Sequence, residues 1–248
     1  MQSGIVIPSY NEAENIGMLI KEIIAVLPSA SIVVVDDSPN EATVDAVKSL
    51  GLDQVHIIHR THKDGRGSAL IVGLEYLLQK NSDILIEMDA DFSHPPKQLE
   101  ELIRTFEEKK LAMLIASRYL SGSRIDNWSM TRRIFSRCAN FVARRLLQIP
   151  IADYTNGYRL YSHEAARLIV ANCGKMGKGF IPLSEIVTQL YYRGFPIGEI
   201  PTHFVNRARG QSSLNFVEIK NAAIGIMKIY GLRKKLQREF HKVHTTIS

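Results

Sequence analysis

Only two cysteines occur in the chain, Cys138 and Cys173, far apart and without metal-ligand spacing. That excludes a disulfide framework and a cysteine zinc site, so both read as reduced, packed thiols. No apolar run reaches the roughly 18 to 20 residues that cross a bilayer. The amino terminus also lacks a basic region leading into an apolar core and a cleavage site. The expected location is cytoplasmic, either free or on the cytosolic face of a membrane. Missing too are Gly-x-Gly-x-x-Gly after the first apolar strand and Gly-x-x-x-x-Gly-Lys-[Ser/Thr] anywhere, which removes the main support for dinucleotide and P-loop readings. What remains is globular composition, with 45% hydrophobic and 23% charged residues among 248, enough for one large domain.

A formal charge of +6 hides an asymmetry. Residues 1–117 hold ten Lys/Arg against eighteen Asp/Glu, whereas residues 118–149 hold seven against one and residues 207–248 nine against two. A basic half of this kind is a solvated face or attracts phosphate, whether on nucleic acid, anionic lipid or a small substrate.

Short apolar runs at residues 4–8, 31–35, 55–59, 84–88 and 112–116 alternate with helical patterns at 16–27, 41–50, 69–79 and 97–108. Asn11 and Glu14 have the spacing of a capping box before the first helix. The alternation predicts an α/β fold with a mainly parallel sheet covered on both faces. Ligands of such sheets bind outside the carboxyl ends of the strands, and every polar cluster falls at such an end. Tyr10 and Glu12 follow the first strand, Asp36 and Asp37 the second, Arg60 to Gly67 the third, Asp89 and Asp91 the fourth, and Ser117-Arg118-Tyr119 the fifth.

The segment from Ile84 to Pro96 is central. An apolar run ends in Asp89-Ala90-Asp91, and Pro95-Pro96 then stops any strand. On an extended backbone residues i and i+2 share a side. Two carboxylates so placed are either solvated acids or oxygen ligands of a hard divalent cation, which commonly completes its shell with substrate phosphates. Near them, Tyr10 can stack on a base, and Glu12 and Asp37 can accept from base or ribose donors.

The second half begins with a Gly/Ser-bearing loop over 119–131, long enough to move. The pattern then predicts a helix over 132–147 carrying Arg132, Arg133, Arg137, Arg144 and Arg145. Arginine forks suit phosphate, and a solvated basic helix is the alternative. A turn entering a strand is expected over 153–161, helices over 163–171 and 183–193, a flexible loop over 174–180, and extended chain over 195–205. Residues 216–232 form an apolar helical stretch abutting Arg233, Lys234, Lys235 and Arg238. This is either an interfacial membrane segment or a core helix with a basic tail.

Taken together, these stretches resemble family 2 glycosyltransferases of the GT-A fold, and among them the dolichol-phosphate (polyprenyl-phosphate) mannose synthases. The matching residues are Ile7-Pro-Ser-Tyr-Asn-Glu12, Val35-Asp-Asp-Ser-Pro39, Arg60-Thr61, Gly65 to Ala69 and Asp89-Ala-Asp-Phe-Ser-His-Pro-Pro96. Ser117-Arg-Tyr119, Asn127-Trp128, Arg132 to Ser136, Gly157 and Arg207-Ala-Arg-Gly-Gln-Ser212 continue it. The resemblance implies a glycosyltransferase domain over 1–213 and an amphipathic helix with a basic tail over 214–248. It implies that Pro8, Tyr10, Glu12, Val35 and Asp37 hold the nucleoside and that Asp89 and Ala90 lie against it. Asp91, with Asp89 and Ser93, would hold Mg²⁺ or Mn²⁺; Arg118, Arg132 and Ser136 would bind the acceptor phosphate or the migrating charge, and Arg207 the donor diphosphate. His94 fits loop shaping better than proton transfer. The sequence departs from the family in having Ser93 where many members carry Gln, and Ser213 where a lysine is expected.

The implied reaction is metal-dependent, inverting transfer of a hexose, mannose from GDP-mannose first, to a polyprenyl or dolichyl phosphate at a membrane surface or beside a membrane-protein partner. One rival is a UDP-sugar donor with a different acceptor. The other is a non-catalytic protein whose basic half binds lipid or nucleic acid.

Overall fold

The computed structural model describes residues 2–60, 62, 64–174, 176, 181–206 and 216–246, the side chains of 216–223 and 240–246 excepted. Five strands rich in Val, Ile and Leu begin the fold: β1 (Ser3–Ser9), β2 (Ser31–Asp36), β3 (Val55–His59), β4 (Ile84–Glu87) and β5 (Met113–Ser117). Between them run α1 (Ala13–Val26), α2 (Ala42–Lys48), α3 (Arg66–Gln79) and α4 (Leu99–Glu108). There follow β6 (Arg124–Asp126), α5 (Met130–Leu147), β7 (Arg159–Ser162), α6 (His163–Asn172), α7 (Ile181–Tyr191), β8 (Ile197–Pro201), β9 (His203–Val205) and α8 (Phe216–Thr246).

Seven strands form one sheet in the order β3-β2-β1-β4-β7-β5-β8. Its pairs are parallel except that β7 runs antiparallel to both β4 and β5. The alternation of side chains sorts the sheet into two apolar layers. Val6, Val33, Val35 and Leu85 pack toward α3, α6 and α7, whereas Ile5, Ile7, Val34 and Ile86 pack toward α1 and α4. A Cβ on Gly73 would lie 2.1 Å from a Val6 methyl, so glycine lets α3 settle directly on β1.

Three local expectations are corrected, and a fourth, the extended chain over 195–205, holds but is split between two sheets. The Asn11/Glu14 capping box does not form: Asn11 adopts φ 57°, Glu12 takes the cap position, and its carboxylate instead accepts from the Asn15 side chain at 2.7 Å. The 119–131 loop contains β6, whose backbone pairs in parallel with β9 as a second, two-stranded sheet. The 195–205 stretch therefore divides at buried Thr202, with β8 in the main sheet and β9 outside it. Finally, α3 starts at Arg66 rather than Ala69, because Gly65 at φ 88° makes the turn into the helix.

Candidate active site

Strand β4 stops at Glu87, so Asp89 and Asp91 lie in the turn beyond it instead of on the extended backbone that the i, i+2 argument assumed. Each acid has its own partners. Asp89 pairs with the Arg66 guanidinium, and its backbone N–H donates to Nδ1 of His94 at 3.0 Å. Burial opposes charge on Asp89, yet the Arg66 cation beside it holds its carboxyl below the usual carboxylate range. Asp91 accepts from the Ser93 hydroxyl at 2.5 Å and from the Ser93 N–H at 3.2 Å. Ser93 is buried and acts on this site through Asp91.

Beneath the acids, Arg66 donates through Nε and Nη2 to Glu87 at 3.2 and 2.9 Å. The Tyr161 hydroxyl donates to the second Glu87 oxygen at 2.9 Å. His94 is fully buried, stacks on Tyr158 with ring centres 4.8 Å apart, and donates from Nε2 to Asn156 at 3.0 Å. Burial lowers its pKa, so the ring is the neutral Nε2–H tautomer with both nitrogens engaged. Its geometry shapes the loop.

On the β1–β2 side, Pro8 and Tyr10 border the rim, Tyr10 being 40% exposed. Val35 and Ala90 are buried at the floor. Asp37 is clamped by both ends of the Arg60 fork at 2.6 and 2.7 Å, and Arg60 also donates to Ser68 at 2.7 Å. Glu12 stands at the start of α1.

At the end of β5, Arg118 donates from Nε and Nη2 to the two Asp153 oxygens, each at 2.8 Å, and from Nη2 to Thr155 at 2.7 Å. Its guanidinium lies 5.3 Å from the Trp128 ring centre and 5.4 Å from that of Phe204. Arg132 enters from the first turn of α5, 4.4 Å from the Trp128 ring centre, and donates to Asn206 at 2.9 Å. One turn further on, Ser136 accepts from the Tyr119 hydroxyl at 2.6 Å. The structure thus gathers Arg118, Tyr119, Trp128, Arg132 and Ser136 into one arginine-aromatic cluster. Arg207 lies outside the described residues.

Several residues that build the rim had no role assigned from the sequence: Glu87, Asp153, Asn156 and Arg159, whose guanidinium donates to the Asn156 and Tyr154 carbonyls at 2.7 and 2.9 Å, while Arg66 entered only as part of the Arg60 to Gly67 cluster. The antiparallel β7 explains most of them, since reversing one strand brings its amino-terminal approach, 153–158, to the rim where the other strands end. The Asp153-Tyr-Thr-Asn-Gly-Tyr-Arg159 run before an apolar strand was the available signal.

The donor set at Asp89, Asp91 and Ser93 is all oxygen, which suits a hard cation. Among the described residues no three His, Cys, Asp or Glu side chains converge as a closed cage. A divalent ion here would have to take oxygens from a ligand besides those that Asp91 and Asp89 could offer.

A family model described as "Glycosyl transferase family 2" matches residues 4–169. Polyprenol monophosphomannose synthase of Mycolicibacterium smegmatis is 33% identical over 94% of this chain and 88% of its own. Undecaprenyl-phosphate mannosyltransferase of Micrococcus luteus is 31% identical over 90% of this chain and 91% of its own. Among solved structures, glucosyl-3-phosphoglycerate synthase of Mycobacterium tuberculosis with UDP superposes with a TM-score of 0.66 at 16% identity, covering 93% of this chain and 80% of that one. The same enzyme with Mn²⁺, UDP and glucosyl-3-phosphoglycerate gives 0.66 over 94% and 79%. That likeness bears out the expected GT-A architecture. With the family model spanning the whole run from β1 into α6, and relatives about one-third identical along nearly the full length, this chain belongs to glycosyl transferase family 2.

Proposed function

We propose that this protein transfers mannose from GDP-mannose to a polyprenyl or dolichyl phosphate, with inversion and with Mg²⁺ or Mn²⁺, at the cytosolic surface of a membrane. The observation that carries the reading is helix α5. It starts in the arginine-aromatic cluster at the rim and runs on with Met130, Ile134, Phe141 and Val142 exposed. An anionic head group meets Arg132 and Ser136 at one end of such a helix while its hydrocarbon lies along the rest. Both relatives are named for mannosyl transfer to a polyprenyl phosphate, which supports the same acceptor chemistry.

In this reading Pro8, Tyr10, Glu12, Val35 and Asp37 hold the nucleoside, and Asp89 and Ala90 lie against it. Asp91 and Asp89 hold the divalent ion, with Ser93 orienting Asp91. The ion's contribution is to neutralise the departing nucleoside diphosphate. Arg207 serves the donor diphosphate. Arg118, Arg132 and Ser136 receive the acceptor phosphate and aim an oxygen at the anomeric carbon, and attack opposite the leaving group inverts that centre. A phosphate oxygen is already anionic at neutral pH, so no general base is required. The doubly engaged, neutral His94 accords with that.

Membrane contact follows from the same face. Exposed Arg137, Arg144 and Arg145 flank the apolar residues of α5, and α8 adds exposed Ile224 and Met227 followed by exposed Lys234, Lys235 and Arg238. Apolar side chains among cations fit an anionic lipid surface. The opposite side of α8 packs on the body through buried Ile229 and Leu236, with Arg233 donating to the Leu146 carbonyl at 2.6 Å. No helix of the described residues is long and apolar enough to cross a membrane. The protein should float with anionic vesicles, and I134S/F141S should lose that binding; equal flotation of both would remove this part of the proposal.

The decisive experiment incubates purified protein and Mn²⁺ with a short polyprenyl phosphate and GDP-mannose, UDP-glucose or UDP-N-acetylglucosamine in parallel, reading glycolipid by mass spectrometry. Product from GDP-mannose alone is expected. Product from a UDP-sugar alone would replace the donor, and no product from any would refute the acceptor assignment.

A further inference from the structure

We propose that Tyr119 is a positioning residue for the transfer: by donating its phenol proton to Ser136 it leaves the Ser136 hydroxyl as a donor for the acceptor phosphate. This rests on the acceptor part of the proposed function and extends it to a residue outside the set of Arg118, Arg132 and Ser136.

The two hydroxyls come from different elements. Tyr119 lies just past the end of β5, and Ser136 sits in α5 one helical turn beyond Arg132, on the same side of that helix. The phenol oxygen is 2.6 Å from Ser136 Oγ, with Tyr119 as the donor. At its other end Tyr119 is held close to Arg118, whose guanidinium carbon lies 5.7 Å from the ring centre, and its backbone N–H donates to the Ser117 hydroxyl at 3.4 Å. Tyr119 therefore joins the strand end that carries one acceptor arginine to the helix that carries the other.

The direction of the bond decides its consequence. A serine hydroxyl has one proton and two lone pairs. Among the described residues the bond from Tyr119 is the one hydrogen bond that Ser136 Oγ makes, and it fills a lone pair, so the serine proton remains to be given. An anionic phosphate oxygen only accepts, and a hydroxyl in this state serves it. Burial raises the Tyr119 phenol above its ordinary range, outweighing the Arg118 cation that lowers it, so the phenol keeps its proton at neutral pH. A proton donated to Ser136 also polarises the serine O–H and strengthens the next bond in the chain. The arginines supply charge, whereas the serine supplies one directional bond that fixes the phosphate's rotation.

Y119F keeps the ring and removes the phenol proton, and S136A removes its receiver. KM and kcat are measured for polyprenyl phosphate and for GDP-mannose on wild type, Y119F, S136A and Y119F/S136A, with thermal melts confirming that each is folded. Y119F should raise KM for polyprenyl phosphate about three- to tenfold, the scale of one hydrogen bond, with kcat changed less and KM for GDP-mannose within about twofold of wild type. Y119F/S136A should match S136A within about twofold, because without the serine there is nothing for Tyr119 to orient. A folded Y119F with wild-type KM for polyprenyl phosphate, beside an impaired S136A, would overturn this inference and leave the acceptor reading standing. Full additivity of the two substitutions would overturn it as well, since a tyrosine that merely buttressed α5 would act independently of Ser136. No product from wild type with polyprenyl phosphate, or an S136A that uses it as well as wild type, would overturn the acceptor reading of Ser136 and this inference with it.

Discussion

Replacing Asp153 with alanine removes the acceptor of three Arg118 hydrogen bonds, one from its backbone N–H at 3.0 Å and two from its guanidinium at 2.8 Å. It also removes the acceptor for the Thr155 and Asn156 N–H groups at 3.1 and 3.0 Å, which shape the turn into β7. Arg118 is only 7% exposed, so its charge cannot turn to water. Breaking a buried pair from one side costs about 3 to 5 kcal/mol. For a chain of this size each kcal/mol moves Tm by about 2 to 4 °C, so a fall of about 6 to 20 °C is expected. Thermal and urea melts followed by far-UV circular dichroism measure it. R118M/D153L, which removes both charges and fills their space, should recover most of that loss while remaining poor in transfer to polyprenyl phosphate. If D153A melts within about 2 °C of wild type, or the double variant is no more stable than the single one, the pair is not the buried support described here. If the double variant keeps full activity, Arg118 does not serve the acceptor.

Other consequences can be checked in parallel. Asp91→Asn should lower metal-dependent transfer at least about a hundredfold with little change in Tm, since removing a group that stabilises developing charge costs on that scale; initial rates across a Mn²⁺ titration show it, and an undiminished rate would remove Asp91 from the site. Arg132→Ala should raise KM for the lipid phosphate more than KM for the donor, and equal rises would place Arg132 elsewhere. Stability should decline as the medium turns acid: burial depresses His94 in the fold, so the unfolded chain takes up a proton first as pH falls below about 6.5, and stability drains away toward the lower folded value. Asp153, held below the usual range by Arg118 although burial opposes its charge, adds a second loss below about 3.9. His94→Asn should flatten the first of these two phases in urea melts taken from pH 7 to 5.

Much of the first half could be read from the sequence because its grammar is local. Each strand there is a run of β-branched and apolar residues closed by proline or by polar and charged residues, and each helix has its apolar stripe, so the strand ends and their polar clusters follow directly. Asp37, Asp89 and Asp91 were found in this way. Arg66 was grouped with the third strand's polar cluster but given no partner, because the pattern placed it in a loop before the helix, and only Gly65's left-handed turn makes it the first helical residue, facing Glu87. Glu87 itself hid inside an apolar run, where a lone acid gives no sign of the cation that will cover it. The residues around Asp153 needed long-range information, since nothing local says that β7 will run against its neighbours and carry its approach to the rim. The split at Thr202 was equally invisible: β6 and β9 find each other across intervening helices, and neither has enough apolar character alone to announce a strand. For α8, its apolar circumference suited core or membrane equally, and the structure buries one side through Ile229 and Leu236 and leaves Ile224 and Met227 exposed on another.

The central claim is that this rim delivers a sugar to an oxygen that is already anionic. The most direct test gives the enzyme GDP-mannose, Mn²⁺ and either a polyprenyl phosphate or the matching polyprenol, identical except for the phosphate, and compares initial rates of mannosyl-lipid formation. The account predicts product from the phosphate and none above background from the alcohol. Comparable transfer to the alcohol would contradict it, because His94, the histidine of the Asp-x-Asp loop, has both ring nitrogens engaged and is not placed to deprotonate a hydroxyl.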